Sequence, residues 1–222
     1  GSEIKDLEPL REAMEKAADA PIEFVFTGSL DAVERLEAGE AFDAVWVSHG
    51  KYLQQTPSIK GRIRASERIM TSPVIFGVKA SKASALGWDA KEPTWLEIAQ
   101  AASSGRLSYG MTNPASSNTG FTALVGVASA LADKQDGLTL VDIRTKELRQ
   151  LFAGQKLTSG SSGWLAEAYV REQARFDGLI NYESVILKLN EEGQLQEKLT
   201  PVYPKEGIVT ADYPLMLLDE TK

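Results

Sequence analysis

Short apolar runs of strand length alternate along this chain with amphipathic stretches of helical period, and most of those runs stop at a small polar turn. Residues 6–18 place Leu7, Leu10, Met14 and Ala17 at helical spacing with Pro9 in an early turn, which predicts an amphipathic helix. Residues 22–26 alternate Ile22, Phe24 and Phe26 and then stop at Thr27-Gly28-Ser29, predicting a strand and then a helix that carries Leu30, Val33 and Leu36 inward. Gly39 ends that helix, and residues 42–47 are a second apolar run, closed by Ser48-His49-Gly50. Strand, helix, strand in succession is the grammar of a mostly parallel sheet.

The pattern continues to the end. Residues 68–78 are rich in β-formers but interrupted at Ser72-Pro73, and a proline cannot donate to a ladder, so this is either a crossing between lobes or an edge strand. A helix is expected at 95–102 and a strand at 107–111, which empties into the polar turn 112–120. Phe121, Leu124, Val125, Ala128 and Leu131 then repeat at helical spacing. A helix is expected at 141–152, closed by Gly154, then a flexible polar loop at 158–163 and a helix at 164–173. A strand at 178–181 runs into Tyr182-Glu183-Ser184 and a further helix, and the tail holds β-like pieces at 199–203 and 208–218, the second broken by Pro214.

Composition narrows the chemistry. At 222 residues and 43% hydrophobic the chain can bury a core, while a net charge of -7 argues against a nucleic-acid partner, because phosphate binding relies on clustered Lys and Arg. The densest basic stretch, with Lys60, Arg62, Arg64 and Arg68, reads as a solvated face. Cysteine is absent and His49 is the only histidine, which excludes disulfides and removes the usual ligand sets for zinc, copper or iron; no metal and no cofactor is expected. No apolar run is long enough to cross a bilayer, and no leader pattern is present.

Catalysis lacks the pairings it needs. Gly160-Ser161-Ser162-Gly163 does not have the spacing of a nucleophile elbow, nothing ties His49 to an activated serine, and neither a dinucleotide fingerprint nor a phosphate-binding P-loop occurs. Polar turns that follow strands are the richer signal. In open α/β sheets the ligand lies beyond the carboxyl ends of the strands, and a helix that starts there offers free N–H groups and its positive dipole end. The candidates are Thr27, Gly28 and Ser29, then Ser48, then Thr112, Asn113, Ser116 and Ser117, and finally Tyr182. Ser29 alone is explained by helix capping, but the turn at 112–119 supplies more hydroxyls and amides than one cap can use. Ser159 to Gly163 reads either as a second polar wall or as a mobile surface loop, the latter preferred.

With those turns located, the chain resembles the type II periplasmic binding proteins, especially the branch with molybdate-binding proteins and solute-binding domains fused to von Willebrand factor A-like domains. The resemblance is carried by FTGSLDAVERLEAGEAFDAVWVS (26–48), SPVIFGVK (72–79), GRLSYGMTNPASSNTGFTALVG (105–126) and VTADYPLMLL (209–218), in that order. It implies an α/β fold of two lobes, each a mixed, mostly parallel sheet flanked by helices, joined by two crossing strands. The lobes would be residues 1–72 with 211–222, and residues 73–210. It further implies an extracytoplasmic, monomeric, non-enzymatic domain, periplasmic or extracellular and membrane-anchored in the full-length protein. Such a domain closes on a small polar or oxyanion ligand, held by Thr27, Gly28, Ser29 and Ser48 on one wall and Thr112, Asn113, Ser116, Ser117 and Tyr182 on the other. Its partners would be a membrane transporter or a fused domain. The family pattern has a strand before the first helix and continues past the YPLMLL-like strand, so both ends are expected to be trimmed. A sensory or adaptor module with a degenerate cleft is the first rival reading, and a hydrolase ranks last.

Overall fold

The run Ser72–Lys79 shows why this chain builds around one strand. Val74, Ile75, Phe76 and Val78 are each at most 3% exposed, and a near-continuous apolar run is what a strand covered on both faces requires. The computed structural model describes residues 2–5, 7–134 and 137–219; Gly1, Asp6 and Lys222, which bound expected segments, lie outside them.

In chain order the elements are α1 (Glu8–Ala18), α2 (Ser29–Glu37), β1 (Ala44–Trp46), α3 (Lys51–Gln55), α4 (Pro57–Lys60), β2 (Ile63–Arg68), β3 (Ser72–Lys79), α5 (Ala80–Leu86), α6 (Trp95–Ser103), β4 (Tyr109–Thr112) and α7 (Asn118–Ala132). There follow α8 (Thr145–Ala153), β5 (Gln155–Ser159), α9 (Ser162–Glu172), β6 (Gly178–Tyr182), α10 (Glu183–Glu191), β7 (Leu199–Val202), β8 (Thr210–Ala211) and β9 (Pro214–Leu218), with 3-10 turns at Ser2–Ile4, Leu140–Asp142 and Gln173–Arg175.

Two sheets result. The larger runs β5-β4-β6-β3-β7 with β8 also on β3, and the smaller runs β1-β9-β2. The expected parallel pairing is found where helices make the crossovers: β4 is parallel to β5 and to β6. The other ladders are antiparallel, those of β3 with β6, β7 and β8 and those of β9 with β1 and β2. The physical reason lies in connectivity. β9 reaches the small sheet from the far end of the chain and inserts between β1 and β2, with no helical crossover to reverse its direction. The chain thus passes between sheets twice, through residues 69–71 and through Asp212 and Tyr213.

Each sheet carries its own apolar cluster. The large one packs Ile75, Phe76, Ile98, Tyr109, Val127, Leu165, Leu179 and Ile186 among others, and the small one gathers Leu36, Val47, Leu53, Ile59, Met216 and Leu218. At roughly 1.5–3 kcal/mol for each fully buried large apolar side chain, the large cluster carries most of the stability. Helix α1 has Pro9 in its first turn and ends on Asp19 at φ 51, but none of its residues is fully buried. Leu10 and Met14 instead line, with Ile22, Phe24 and Trp46, a cavity of about 250 Å³.

Three expectations need correction. Residues 22–26 are not a strand: Ile22, Phe24 and Phe26 are half-buried and their neighbours exposed, as alternation requires, yet the segment joins no ladder. Alternation encodes which side faces the core, not a hydrogen-bond partner. The expected helix at 141–152 is a 3-10 turn, a break and then α8. The polar loop at 158–163 is the end of β5 and the start of α9, with Ser161 and Ser162 at 2% and 3% exposure, so it is an interior turn rather than a mobile surface loop. The basic stretch near Arg64 and Arg68 is solvated as expected, but as strand β2.

Candidate functional site

Several of the polar turns meet. Thr27, Gly28, Ser29, Ser48, Ser117 and Tyr182 line one cavity, together with Glu3, Asn118, Ser161 and Ser162. The first wall is built at the start of α2, where Gly28 is the extended residue before the helix and Ser29 its first residue. Ser29 Oγ accepts the Ser48 backbone N–H at 3.2 Å and donates to Ser48 Oγ at 3.4 Å, which pins the end of the β1 loop to the helix. Thr27 is only half-buried, and its hydroxyl donates to Asp31 at 3.5 Å. Gly28 is where the walls touch: a Cβ there would lie 2.2 Å from the Ser116 carbonyl oxygen, so only glycine permits this approach.

The second wall has two helix starts. At α7, Ser117 precedes the helix without capping it by side chain, and Asn118 sits in the first turn. Asn118 Nδ2 donates to the Tyr182 hydroxyl at 2.9 Å, while its Oδ1 accepts from Tyr52 at 2.8 Å and from Thr122 at 3.3 Å. Tyr182 ends β6 and meets the Tyr213 ring edge-on at 5.3 Å. At α9, the Ser162 hydroxyl donates to Glu3 Oε2 at 2.8 Å, and the Ser48 hydroxyl donates to Glu3 Oε1 at 3.4 Å from the opposite wall. Ser2 completes the arrangement, its Oγ accepting the Gly163 N–H at 2.9 Å and bonding the Ser161 hydroxyl. About 10 Å³ of free space remains between the walls, the volume of one water at most.

Thr112, Asn113 and Ser116 are placed outside this cavity. Thr112 is fully buried at the end of β4 and its hydroxyl has no partner. Asn113 Oδ1 accepts the Ala115 N–H at 2.9 Å and so shapes the turn, and Ser116 Oγ donates to the Gly160 carbonyl at 3.3 Å, tying that turn to the one before α9. Among the described residues, no group of three His, Asp or Glu side chains is placed to hold a metal ion.

The electrostatics follow from burial. Burial, then the Glu3 charge, push the Tyr182 hydroxyl up to about 12, against the hydrogen bonds of Ser48, Thr119 and Asn118. Burial and the charge of Glu3 likewise raise Tyr213 well above its ordinary value. For Glu3 itself burial acts upward, but its own backbone N–H and the hydroxyls of Ser162 and Tyr213 act against it, and the carboxyl lies below its ordinary value. The cavity is therefore a set of neutral donors around one buried carboxylate, without a Lys or Arg in its lining.

Sequence reasoning did not pick out Glu3 or Tyr52 for the site, and it weighed Ser161 and Ser162 as part of a second polar wall but preferred a surface loop. Ser162 and Gly163 carried a usable signal, a Ser-Gly cluster between a strand and a helix. Glu3 and Tyr52 carried none, because an isolated Glu near a chain start and a lone Tyr in a short helix look like surface residues.

Two sheets with separate cores, two passages between them and a polar cavity at the meeting of helix starts make up a two-lobed fold like that of the type II periplasmic binding proteins. The chain belongs to the bacterial extracellular solute-binding protein family, whose description it matches over residues 1–222. Among solved structures, the sulfate-binding protein of Mycobacterium tuberculosis H37Rv superposes with a TM-score of 0.70 at 18% identity, covering 100% of this chain and 73% of that one. A periplasmic thiamin-binding protein gives 0.68 at 12% identity over 96% and 67%, and a fructose-6-phosphate-bound periplasmic protein of Actinobacillus pleuropneumoniae gives 0.65 at 16% over 96% and 70%. A search among curated proteins finds no match. No helix among the described residues is long and apolar enough to cross a membrane.

Proposed function

We propose that this extracellular solute-binding domain captures a small polar solute, with oxyanions and metabolites bearing anionic groups first among candidates, and that lobe closure rather than bond-making is its function. The lobes in this reading are residues 1–72 with 211–222, and residues 73–210. The observation that carries it is the convergence of neutral donors from both sides on one buried carboxylate: Ser48 from one wall and Ser162 from the other. Helix starts and hydroxyls suffice for an anion in a dry cleft, and similar folds in the sulfate-binding and fructose-6-phosphate-bound proteins hold anionic solutes. Contacts made only in the closed form supply the differential affinity that drives closure. The captured solute would be handed to a membrane transporter or sensed by a fused, membrane-anchored partner domain.

One observation favours a second reading. Free space of about 10 Å³ suits a module whose cleft is permanently filled and which serves as a sensor or adaptor. Hydrolysis has less support, since His49 Nδ1 lies 3.1 Å from Asp212 Oδ1 and no serine hydroxyl among the described residues bonds it.

A thermal-shift panel of oxyanions, sugar phosphates, amino acids and cationic vitamins separates these. A ligand at about 100 times its Kd stabilises by about 2.7 kcal/mol, and the hit should lose at least tenfold in affinity in Ser29→Ala and Asn118→Ala. If no solute in the panel shifts the melting temperature of the parent or of a variant that lacks the Glu3 carboxylate, solute capture is wrong and the adaptor reading takes its place.

A further inference from the structure

The 3-10 turn Ser2–Ile4 lies across the start of α9 and is fitted to it. Gly163 is the residue that allows this, because a Cβ there would lie 2.4 Å from the Ser2 carbonyl oxygen. Lys5 adds an ion pair to Glu167 on α9. The consequence falls on Glu3. Its two carboxylate oxygens take the hydroxyl donors of Ser162 and Ser48, and the buried Tyr213 hydroxyl sits beside it.

We propose that Glu3 is an internal occupant of the cleft, a carboxylate of the chain standing where a free oxyanion would bind, and that such a ligand enters only when the Ser2–Lys5 segment leaves α9. The inference rests on the cleft reading above and deepens it, because it names both the ligand class and what the ligand competes with. Three physical facts support it. A space of about 10 Å³ does not admit a sulfate-sized ion beside Glu3. Two anions a few ångströms apart in a buried site with no Lys or Arg in its lining repel strongly. A tethered occupant competes at an effective concentration of order millimolar for a short flexible link, so weak apparent affinity for a free oxyanion is the expected behaviour of the intact chain.

The test is isothermal titration of the whole chain with inorganic sulfate, molybdate and acetate, for the parent and for Glu3→Gln and Glu3→Ala. Circular dichroism melts confirm that each variant folds. At least one anion should bind both variants tenfold or more tightly than the parent, and adding that anion to the parent should speed amide hydrogen exchange across residues 2–5. A merely structural Glu3 would not raise affinity when removed. Equal or weaker binding in both variants overturns the proposal and leaves solute capture standing. So does the case in which none of the three anions binds while the wider solute panel yields a hit. If nothing in either set binds any of the proteins, both readings fall together.

Discussion

The Tyr52 hydroxyl donates to Asn118 Oδ1 at 2.8 Å and so joins α3, on the small-sheet side, to the first turn of α7 on the other. The same ring meets Phe121 edge-on at 5.7 Å, so one tyrosine supplies both a polar and an apolar contact across the gap. On the proposed closure, these contacts make it a latch. Tyr52→Phe removes one partly buried hydrogen bond, worth about 1 kcal/mol net, while Thr122 still donates to the same oxygen. Folding should survive with a small drop in melting temperature, affinity for the ligand should fall about fivefold, and the scattering radius of gyration should rise. An unchanged affinity and radius would show that Tyr52 latches nothing.

Gly28 gives a sharper test of closure. Its backbone, at φ -69 and ψ 155, is one that alanine adopts without strain, so Gly28→Ala harms nothing local. What it does is place a methyl group 2.2 Å from the Ser116 carbonyl oxygen, which belongs to backbone and cannot swing aside. The walls must part. A loss of at least tenfold in affinity at nearly constant thermal stability is expected from titration and melting; a variant that binds like the parent would mean the walls do not meet on binding.

How much of this could be read beforehand depends on what each residue encodes. Val74, Ile75 and Phe76 announced a doubly covered strand, and Pro73 marked its entry, where it faces Thr210 of β8. Ser29 and Ser48 were legible because each follows an apolar run at a helix or strand boundary. Thr112, Asn113 and Ser116 looked equal to Ser117 in the sequence. The structure separates them by where the turn points: Asn113 folds back on Ala115 and Ser116 reaches Gly160, while Ser117 faces the cavity. A string of hydroxyls gives no direction. Nor could Glu3 be found, since its environment is made by Ser48 and Ser162, whose approach depends on how the two sheets sit against each other.

Tyr182 should make stability sensitive to alkali. Its hydroxyl is raised from 10.0 to about 12 by burial first and by Glu3 second. A folded value above the unfolded one means the native state holds the proton longer, so the contribution is fully present below about pH 10 and is lost as pH rises from about 10 through 12. The shift corresponds to something on the order of 2–3 kcal/mol. Denaturant titrations at pH 8 to 11.5 should show a decline that is shallower in Tyr182→Phe, and phenolate absorbance should locate the slow-titrating tyrosines. A decline equally steep in both proteins would remove Tyr182 as its source.

Phe76 tests whether the large sheet carries the fold as a whole. It is fully buried at the centre of β3, pairs with Ile180 of β6 and Val202 of β7, and meets Tyr109 of β4 edge-on at 5.1 Å. Replacing it leaves a hole between strands that hydrogen bonding prevents from collapsing, so Phe76→Ala should cost about 3–5 kcal/mol in chemical denaturation. In the small sheet Met216 is a comparable fully buried strand side chain, clustered with Leu53 and Ile59 from short helices. Met216→Ala should cost about 2–5 kcal/mol by the same reasoning, but with a different signature: if the lobes unfold separately, its transition moves while that of the large sheet stays put. A single transition shifted equally by both substitutions would show instead that the two sheets fold as one cooperative unit, with the contacts of Tyr52 and Gly28 as part of the joint.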